Sequence, residues 1–305
     1  AHYWLYRSLV AMGKTGKATD ALKPLKEEYP FSFHALVALL SVDKDPGDIL
    51  TADATPKKTR SEQSPVLNML LEQAEVLQRL GYPQSASKVL DWALSESDGA
   101  EPQLMLYLSD LKTEQGDYRS TIAILSGVLY DNPQLISRET MEKYFPRVYF
   151  PIFERKSNGL DPYLLISIAR RESAFNPRAI SSADARGLLQ LLPSTARKIK
   201  KRANLMDPES NIDTGSIYML DLLSKVNGQI HLALAAYNAG PNRLNEWAKR
   251  YPVDDPILFI DLIPFRETRE YIAAVLRNYY WYRRIHQEDR TISSKSLLEW
   301  GGVDK

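Results

Sequence analysis

Asp161-Pro162-Tyr163-Leu164-Leu165-Ile166-Ser167-Ile168-Ala169-Arg170-Arg171-Glu172 is the stretch whose reading decides the fold of the second half of this chain. An acid followed by proline is a helix start: the carboxylate caps free backbone N–H groups, and proline fits the first helical position, where its missing N–H is not needed. Advancing about 100° per residue, Leu165, Ile168 and Ala169 share one face, and Glu172 falls in the middle of that apolar arc. Ser167 is expected opposite, on the wet side, with Arg170 and Arg171 at the margins. A carboxylate on an inward face is costly unless it is used. Burial and the negative end of the helix dipole both disfavour its charge, so the Glu172 pKa should be raised, as a general acid working near neutral pH requires. A buried ion pair between Glu172 and one of its arginine neighbours, or a more distant cation, is the alternative reading of this helix.

Outward from this helix, Asn176-Pro177, Gly187, Leu192-Pro193, Asn227-Gly228 and Gly240-Pro241 punctuate further helical segments up to His286, and no run alternates as a strand would. Upstream, glycine is followed nine positions later by leucine at Gly13/Leu22, Gly81/Leu90 and Gly116/Leu125. These glycines recur at roughly multiples of the ~34-residue tetratricopeptide period, which predicts degenerate helix-turn-helix repeats. Within them Ile122, Leu125 and Val128, or Val89, Trp92 and Ala93, are spaced to face a core. Asp43 to Pro65, rich in Asp, Pro, Thr and Lys, reads as an exposed interruption. The aromatic, proline-containing stretch Met141 to Pro151 is the expected hinge. The fold class is all-α: α-superhelical repeats over 1–140, a compact helical domain over 141–287 and a tail over 288–305.

Composition narrows the chemistry. The 305 residues are 44% hydrophobic, enough for more than one core. Thirty-nine basic against 38 acidic residues give a net charge of +1, so no nucleic-acid partner is expected. Without cysteine there is no thiol nucleophile, thiolate metal site or disulfide, and four scattered histidines offer little to a metal centre. Acid/base chemistry with no cofactor is favoured. No apolar run reaches the ~20 residues of a membrane span, and Ala1 to Arg7 lacks the apolar stretch of a signal peptide, as in a mature or trimmed chain.

Four separated motifs then fall in register: Glu172-Ser173-Ala174-Phe175-Asn176-Pro177, Gly187-Leu188-Leu189-Gln190, Ala236-Tyr237-Asn238-Ala239-Gly240 and Glu267-Thr268-Arg269-Glu270-Tyr271. Together they resemble the motif series of the soluble lytic transglycosylases over about residues 145 to 285. The resemblance implies a lysozyme-like α-helical catalytic domain behind superhelical repeats. It implies that Glu172 protonates the glycosidic oxygen between N-acetylmuramic acid and N-acetylglucosamine and then, ionised, takes the proton from the C6 hydroxyl as a 1,6-anhydro ring closes. The motif series supplies one carboxylate where an ordinary glycosidase uses two.

The resemblance also places Ser181 and Gln190 where the family holds acetamido and sugar oxygens, Tyr237 and Asn238 at the groove and Tyr271 beside the acid, with Glu267 either at the substrate or paired with Arg266, Arg269 or Arg277. For Gln190, Tyr237 and Asn238 the plainer reading is a satisfied buried polar group or a cap. Phe175, Leu188, Leu189 and Leu191 read as core or groove wall. Leu189 stands where the family has methionine, a nearly volume-conserving change, and Asp184 where it has glycine, which puts the loop carrying Ser181 in question. The implied partner is peptidoglycan, with other cell-wall proteins as candidate partners of the repeats, and the implied location is the periplasm, where that substrate lies.

The run Arg197-Lys198-Ile199-Lys200-Lys201-Arg202 reads first as a solvated helix face and, more sharply, as a contact for anionic wall peptides. Tyr279, Tyr280, Trp281 and Tyr282, being consecutive, should divide between packing and stacking on sugars. The tail, with Leu297-Leu298 and Gly301-Gly302, reads as docked or frayed. Two rivals stay open: a lysozyme-like hydrolase in which water attacks, and a helical scaffold that binds glycan without cutting it.

Overall fold

The computed structural model describes residues 1–50, 64–97, 101–287 and 292–299. Among these the chain is all-α, its only β pairing being isolated bridges such as Ile180 with Arg186. It divides into two compact units, one made of residues 1–48 and 147–305 and the other of residues 49–146.

The second of these holds α4 (Pro65–Arg79), α5 (Pro83–Ser95), α6 (Pro102–Glu114), α7 (Tyr118–Asp131) and α8 (Arg138–Tyr144), with α4 paired to α5 and α6 to α7. The repeated glycines are the turns of these pairs. Gly81 and Gly116 take φ of +79° and +73°, and the next N–H reaches back into the helix, Tyr82 to Leu77 O and Asp117 to Lys112 O, each at 2.9 Å. That closure needs a left-handed residue, which only glycine adopts without cost. Leu90 and Leu125, nine residues on, are fully buried, as their spacing predicts, whereas Trp92, expected on the same core face, is exposed. Lys112 is also fully buried, its ammonium held by Asp91 at 2.5 Å and Asp117 at 3.3 Å.

Gly13 forms the same turn, joining α1 (His2–Ala11) to α2 (Thr15–Glu27). This hairpin and α3 (Phe33–Leu40) nevertheless fold with the second half of the chain, whereas the sequence grouped them with the repeats over 1–140. Specific bonds hold them there. Trp4 Nε1 donates to Asp261 at 2.7 Å, His34 Nε2 lies 3.0 Å from the same carboxylate, and Arg7 pairs with Asp255 at 2.8 Å. The stretch read as an exposed interruption begins docked: Asp45 binds Arg284 Nε at 2.6 Å and the Tyr280 hydroxyl, and the Gly47 N–H reaches Tyr280 at 2.8 Å. The rest of it, residues 51–63, lies outside the described residues.

The remainder of this unit comprises α9 (Phe150–Lys156), α10 (Pro162–Ser173), α11 (Pro193–Ile199), α12 (Pro208–Lys225), α13 (Ile230–Ala239), α14 (Pro241–Ala248), α15 (Pro256–Leu262), α16 (Arg266–His286) and α17 (Ser294–Leu298). Its core is the pair α10 and α16. Helix α16 is covered by α3, α10, α13, α15 and α17, so Tyr279, Tyr280, Trp281 and Tyr282 are all buried although they are consecutive. None is left to stack on a sugar, which corrects the division expected from a single-sided helix. Tyr279 instead donates to Asp161 at 2.7 Å and Trp281 packs on Phe31 at 5.5 Å between ring centroids. The tail is docked where it is described, with Leu297 buried and Glu299 bridged to Gln229; residues 288–291 and 300–305, including Gly301-Gly302, lie outside the described residues.

Candidate active site

Helix α10 starts as its sequence predicts, the Asp161 carboxylate accepting the Tyr163 N–H at 2.8 Å with Pro162 at the first helical position. It is not single-sided, however. Every residue from Tyr163 to Arg170 is buried, including Ser167, which sits where a wet face was expected and satisfies its hydroxyl on Tyr163 O at 2.6 Å. A serine can be buried this way because the carbonyl four residues back takes its proton.

Glu172 lies in the last turn, half-buried by surface yet with its carboxyl desolvated, and its pKa is pushed up to about 7. Desolvation is the largest cause, and the charge of Glu267 adds to it; the Tyr271 hydroxyl and Arg171 pull the other way without cancelling it. The ion-pair reading therefore fails on its sign, since a tightly paired carboxylate would titrate below its ordinary range. Tyr271 is buried, and its hydroxyl faces the carboxyl without closing a bond of normal geometry to any protein group. Tyr237 is the other neighbour: its hydroxyl is held above its usual range by burial first and by the Glu172 charge second. Two neutral phenols thus flank one acid that can give and take a proton near neutral pH.

Immediately after Glu172 the backbone turns sharply. Ala174 and Phe175 both take left-handed conformations, φ +46° and +67°, a cost of about 1–2 kcal/mol each for L-residues. Burial of Phe175 and the Ser173 hydroxyl, which donates to Leu188 O at 2.9 Å, hold the turn closed. Leu188, Leu189 and Leu191 are buried as core. Leu189 in the methionine position is accommodated by Gly215 of α12, where a Cβ would meet Leu189 Cδ1 at 2.4 Å.

The remaining residues singled out in the sequence are placed as follows. Tyr237 donates to Leu189 O at 2.7 Å, and Asn238 accepts the Thr268 hydroxyl at 2.7 Å, tying α13 to α16. Gln190 donates its amide to Ala179 O at 3.1 Å and Gly187 O at 2.9 Å. The Ser181 hydroxyl accepts the N–H groups of Ala183 and Ala185. Glu267 is exposed and makes no ion pair among the described residues, Arg266 pairing with Glu270 and Arg269 turning to Ile263 O. Glu172, Tyr237, Tyr271 and Glu267 form one electrostatic cluster; Gln190 and Ser181 brace the loop between α10 and α11, and Asn238 joins two helices.

Asp184 holds φ at +63°, a conformation glycine adopts without strain, and it offsets the cost by gripping Arg186 with both oxygens at 2.9 and 3.1 Å. In the basic run, Arg197, Lys198, Lys201 and Arg202 are exposed, while Lys200 pairs with Asp213. Two site residues escaped the sequence reading. Asn211 is a fully buried amide in the first turn of α12, and Tyr218 packs on Tyr237 at 5.3 Å between centroids. The signal for Asn211 was a polar residue beside Ile212 on a buried face, which spacing alone does not separate from an exposed one. Among the described residues no grouping of three or more His, Asp or Glu could hold a metal ion, and no helix is long and apolar enough to cross a membrane.

An all-α domain that desolvates a single carboxyl beneath two phenols, beside a glycine-led loop, is a site for proton transfer by one residue. Residues 150–259 match the transglycosylase SLT domain family. Across 98% of its length the chain is 29% identical to the soluble lytic murein transglycosylase of Escherichia coli strain K12, of which it covers 45%. It superposes on the crystal structure of the 70-kDa soluble lytic transglycosylase of Escherichia coli with a TM-score of 0.73 at 22% identity, covering 99% of this chain and 48% of that one. A complex of the 70-kDa enzyme with bulgecin A gives a TM-score of 0.74 at 24% identity, covering 99% of this chain and 48% of that one. The chain thus spans about half the length of these relatives and shares their fold.

Proposed function

We propose that this chain is a peptidoglycan lytic transglycosylase that cleaves the β-1,4 bond between N-acetylmuramic acid and N-acetylglucosamine, leaving a 1,6-anhydromuramoyl end. The observation that carries the reading is Glu172: a desolvated acid with a pKa of about 7 within the stretch that matches the SLT domain family. Protonated, it delivers its proton to the glycosidic oxygen as the C1–O bond breaks, and the substrate's own acetamido oxygen takes up the deficit at C1. The ionised Glu172 then removes the C6 hydroxyl proton, and that oxygen attacks C1, displacing the acetamido oxygen. Glu172 ends protonated and no water is consumed. Tyr271 and Tyr237 are neutral at working pH and do not compete for the proton; the Tyr271 hydroxyl can donate to the carboxylate formed midway, while the Tyr237 proton stays on Leu189 O. Gln190, Ser181, Asn238 and Glu267 line the sugar path in this reading. An intramolecular hydroxyl gains from its high effective concentration, which makes a second catalytic carboxylate unnecessary.

One observation favours a second reading. The charge of Glu267 is felt at Glu172, and a second carboxylate near the acid is what a hydrolase needs to activate water. Mass spectrometry of products released from purified peptidoglycan decides between them. Muropeptides one water lighter than hydrolysis products, absent with Glu172→Gln, establish the transglycosylase. Hydrated products establish a lysozyme, and glycan bound but uncut establishes a scaffold. The substrate places the protein in the periplasm.

A further inference from the structure

Asn211 makes three of the four hydrogen bonds its side chain can form, one accepted and two donated. Its Oδ1 accepts the Leu189 N–H at 2.8 Å, and its Nδ2 donates to Arg186 O at 3.0 Å and Leu205 O at 2.9 Å. The side chain is wholly buried at the start of α12 and touches none of the groups assigned above to the reaction. What it holds is the Arg186–Gln190 turn, gripped from the interior by peptide groups alone.

The other side of that turn is where the site residues attach. Leu188 O receives Ser173, the residue next to Glu172, at 2.9 Å, and Leu189 O receives the Tyr237 hydroxyl at 2.7 Å. Gly187 O receives Gln190. Leu189 therefore binds Asn211 through its N–H and Tyr237 through its carbonyl, so a single residue separates the buried amide from the phenol that feels the Glu172 charge. Neither neighbour can substitute: Gly187 has no side chain, and the Leu189 side chain is committed to the packing against Gly215.

We infer that Asn211 is a positioning residue for the reaction, fixing the turn on which Ser173, Tyr237 and Gln190 are registered around Glu172. The inference rests on the proposed function for its kinetic consequence and on geometry alone for its structural one. A turn freed from its inner anchor lets Tyr237 and Ser173 drift and water reach the acid; a misplacement of about 1 Å suffices to cost about 100-fold in rate.

The test compares Asn211→Ala and Asn211→Asp in the whole chain. Both are assayed for anhydro product release, and Glu172 is followed by carbon-13 NMR titration of its carboxyl. The aspartate variant keeps the acceptor for Leu189 but faces two carbonyls with an oxygen. It can donate to one of them while protonated and repels both once ionised, so its rate relative to wild type should fall as pH rises between about 5 and 8. In the alanine variant we expect kcat to drop about 10- to 100-fold with KM within about threefold, and the Glu172 titration to move down from about 7 toward its ordinary range. Wild-type kcat and an unmoved Glu172 titration in both variants, with only thermal stability reduced, would overturn the inference. Should the alanine variant not fold, the pH dependence of the aspartate variant decides. If wild type itself releases no anhydro product, the proposed function fails, and the Glu172 titration still decides the role of Asn211.

Discussion

The carbonyl oxygen of Leu205 lies 2.0 Å from the position a Cβ on Gly187 would occupy, and Asn211 Nδ2 lies 2.4 Å from it. Gly187 also holds φ at +76°. Both obstacles belong to groups that are themselves fixed, the first to backbone. Gly187→Ala should therefore cost at least about 3 kcal/mol and release the turn beneath Gln190. Chemical denaturation of the variant measures the cost, and a loss under 1 kcal/mol would show that the backbone yields.

In the proposed function Glu172 trades stability for its role as the acid. With its pKa near 7 in the fold and 4.5 as the ordinary value, the native state binds the proton more tightly than the unfolded chain does. Its contribution is thus fully present below pH 4.5 and is lost as pH rises toward and through 7. Glu172→Gln, which cannot ionise, should be more stable than wild type at pH 8 by on the order of 2–3 kcal/mol. The two should converge near pH 4. Parallel unfolding curves at both pH values check this, and equal stability at pH 8 would mean that the carboxyl is not desolvated.

His231 works in the opposite direction. It is buried on α13 against Phe259, the two rings 6.0 Å apart between centroids, with no partner for either nitrogen among the described residues, and burial holds its pKa down at about 4. Protonation then favours the unfolded chain, so stability is lost as pH falls from 6.5 toward 4. Where this window overlaps that of Glu172 the two slopes oppose each other, and the wild-type profile should be nearly flat. His231→Leu should remove the acid-side loss and expose the Glu172 slope alone between pH 4.5 and 6.5. Stability measured across that range by thermal unfolding shows it, and an unchanged profile would contradict the burial argument.

Asp184 can be returned to glycine. At φ +63° the substitution relieves a left-handed aspartate, a gain of up to about 1 kcal/mol, while the exposed pair with Arg186 that is lost offsets part of it. Asp184→Gly should be at least as stable as wild type and turn over peptidoglycan at an undiminished rate. A large loss of stability would show the Arg186 pair to be more than surface decoration of the loop.

Much of this molecule could be read without its tertiary structure because the information was local. The Asp161-Pro162 start, the apolar arc of α10 and the glycine turns at Gly81 and Gly116 each depend on residues within a turn or two of one another, and helical periodicity exposes them directly. The inward position of Glu172 followed from the same geometry, and with it the raised pKa. What the linear pattern could not contain was which faces meet. Ser167 is buried because α10 is covered on all sides; α1 to α3 join the second half through Trp4, His34 and Arg7, whose acidic partners lie more than 220 positions away in sequence. Asn211 grips Leu189 across 22 positions, and Asp184 looked anomalous until its backbone angle was known. Periodicity determines what a helix can bury; only packing against distant segments decides what it does bury, and which polar groups are locked in place as a result.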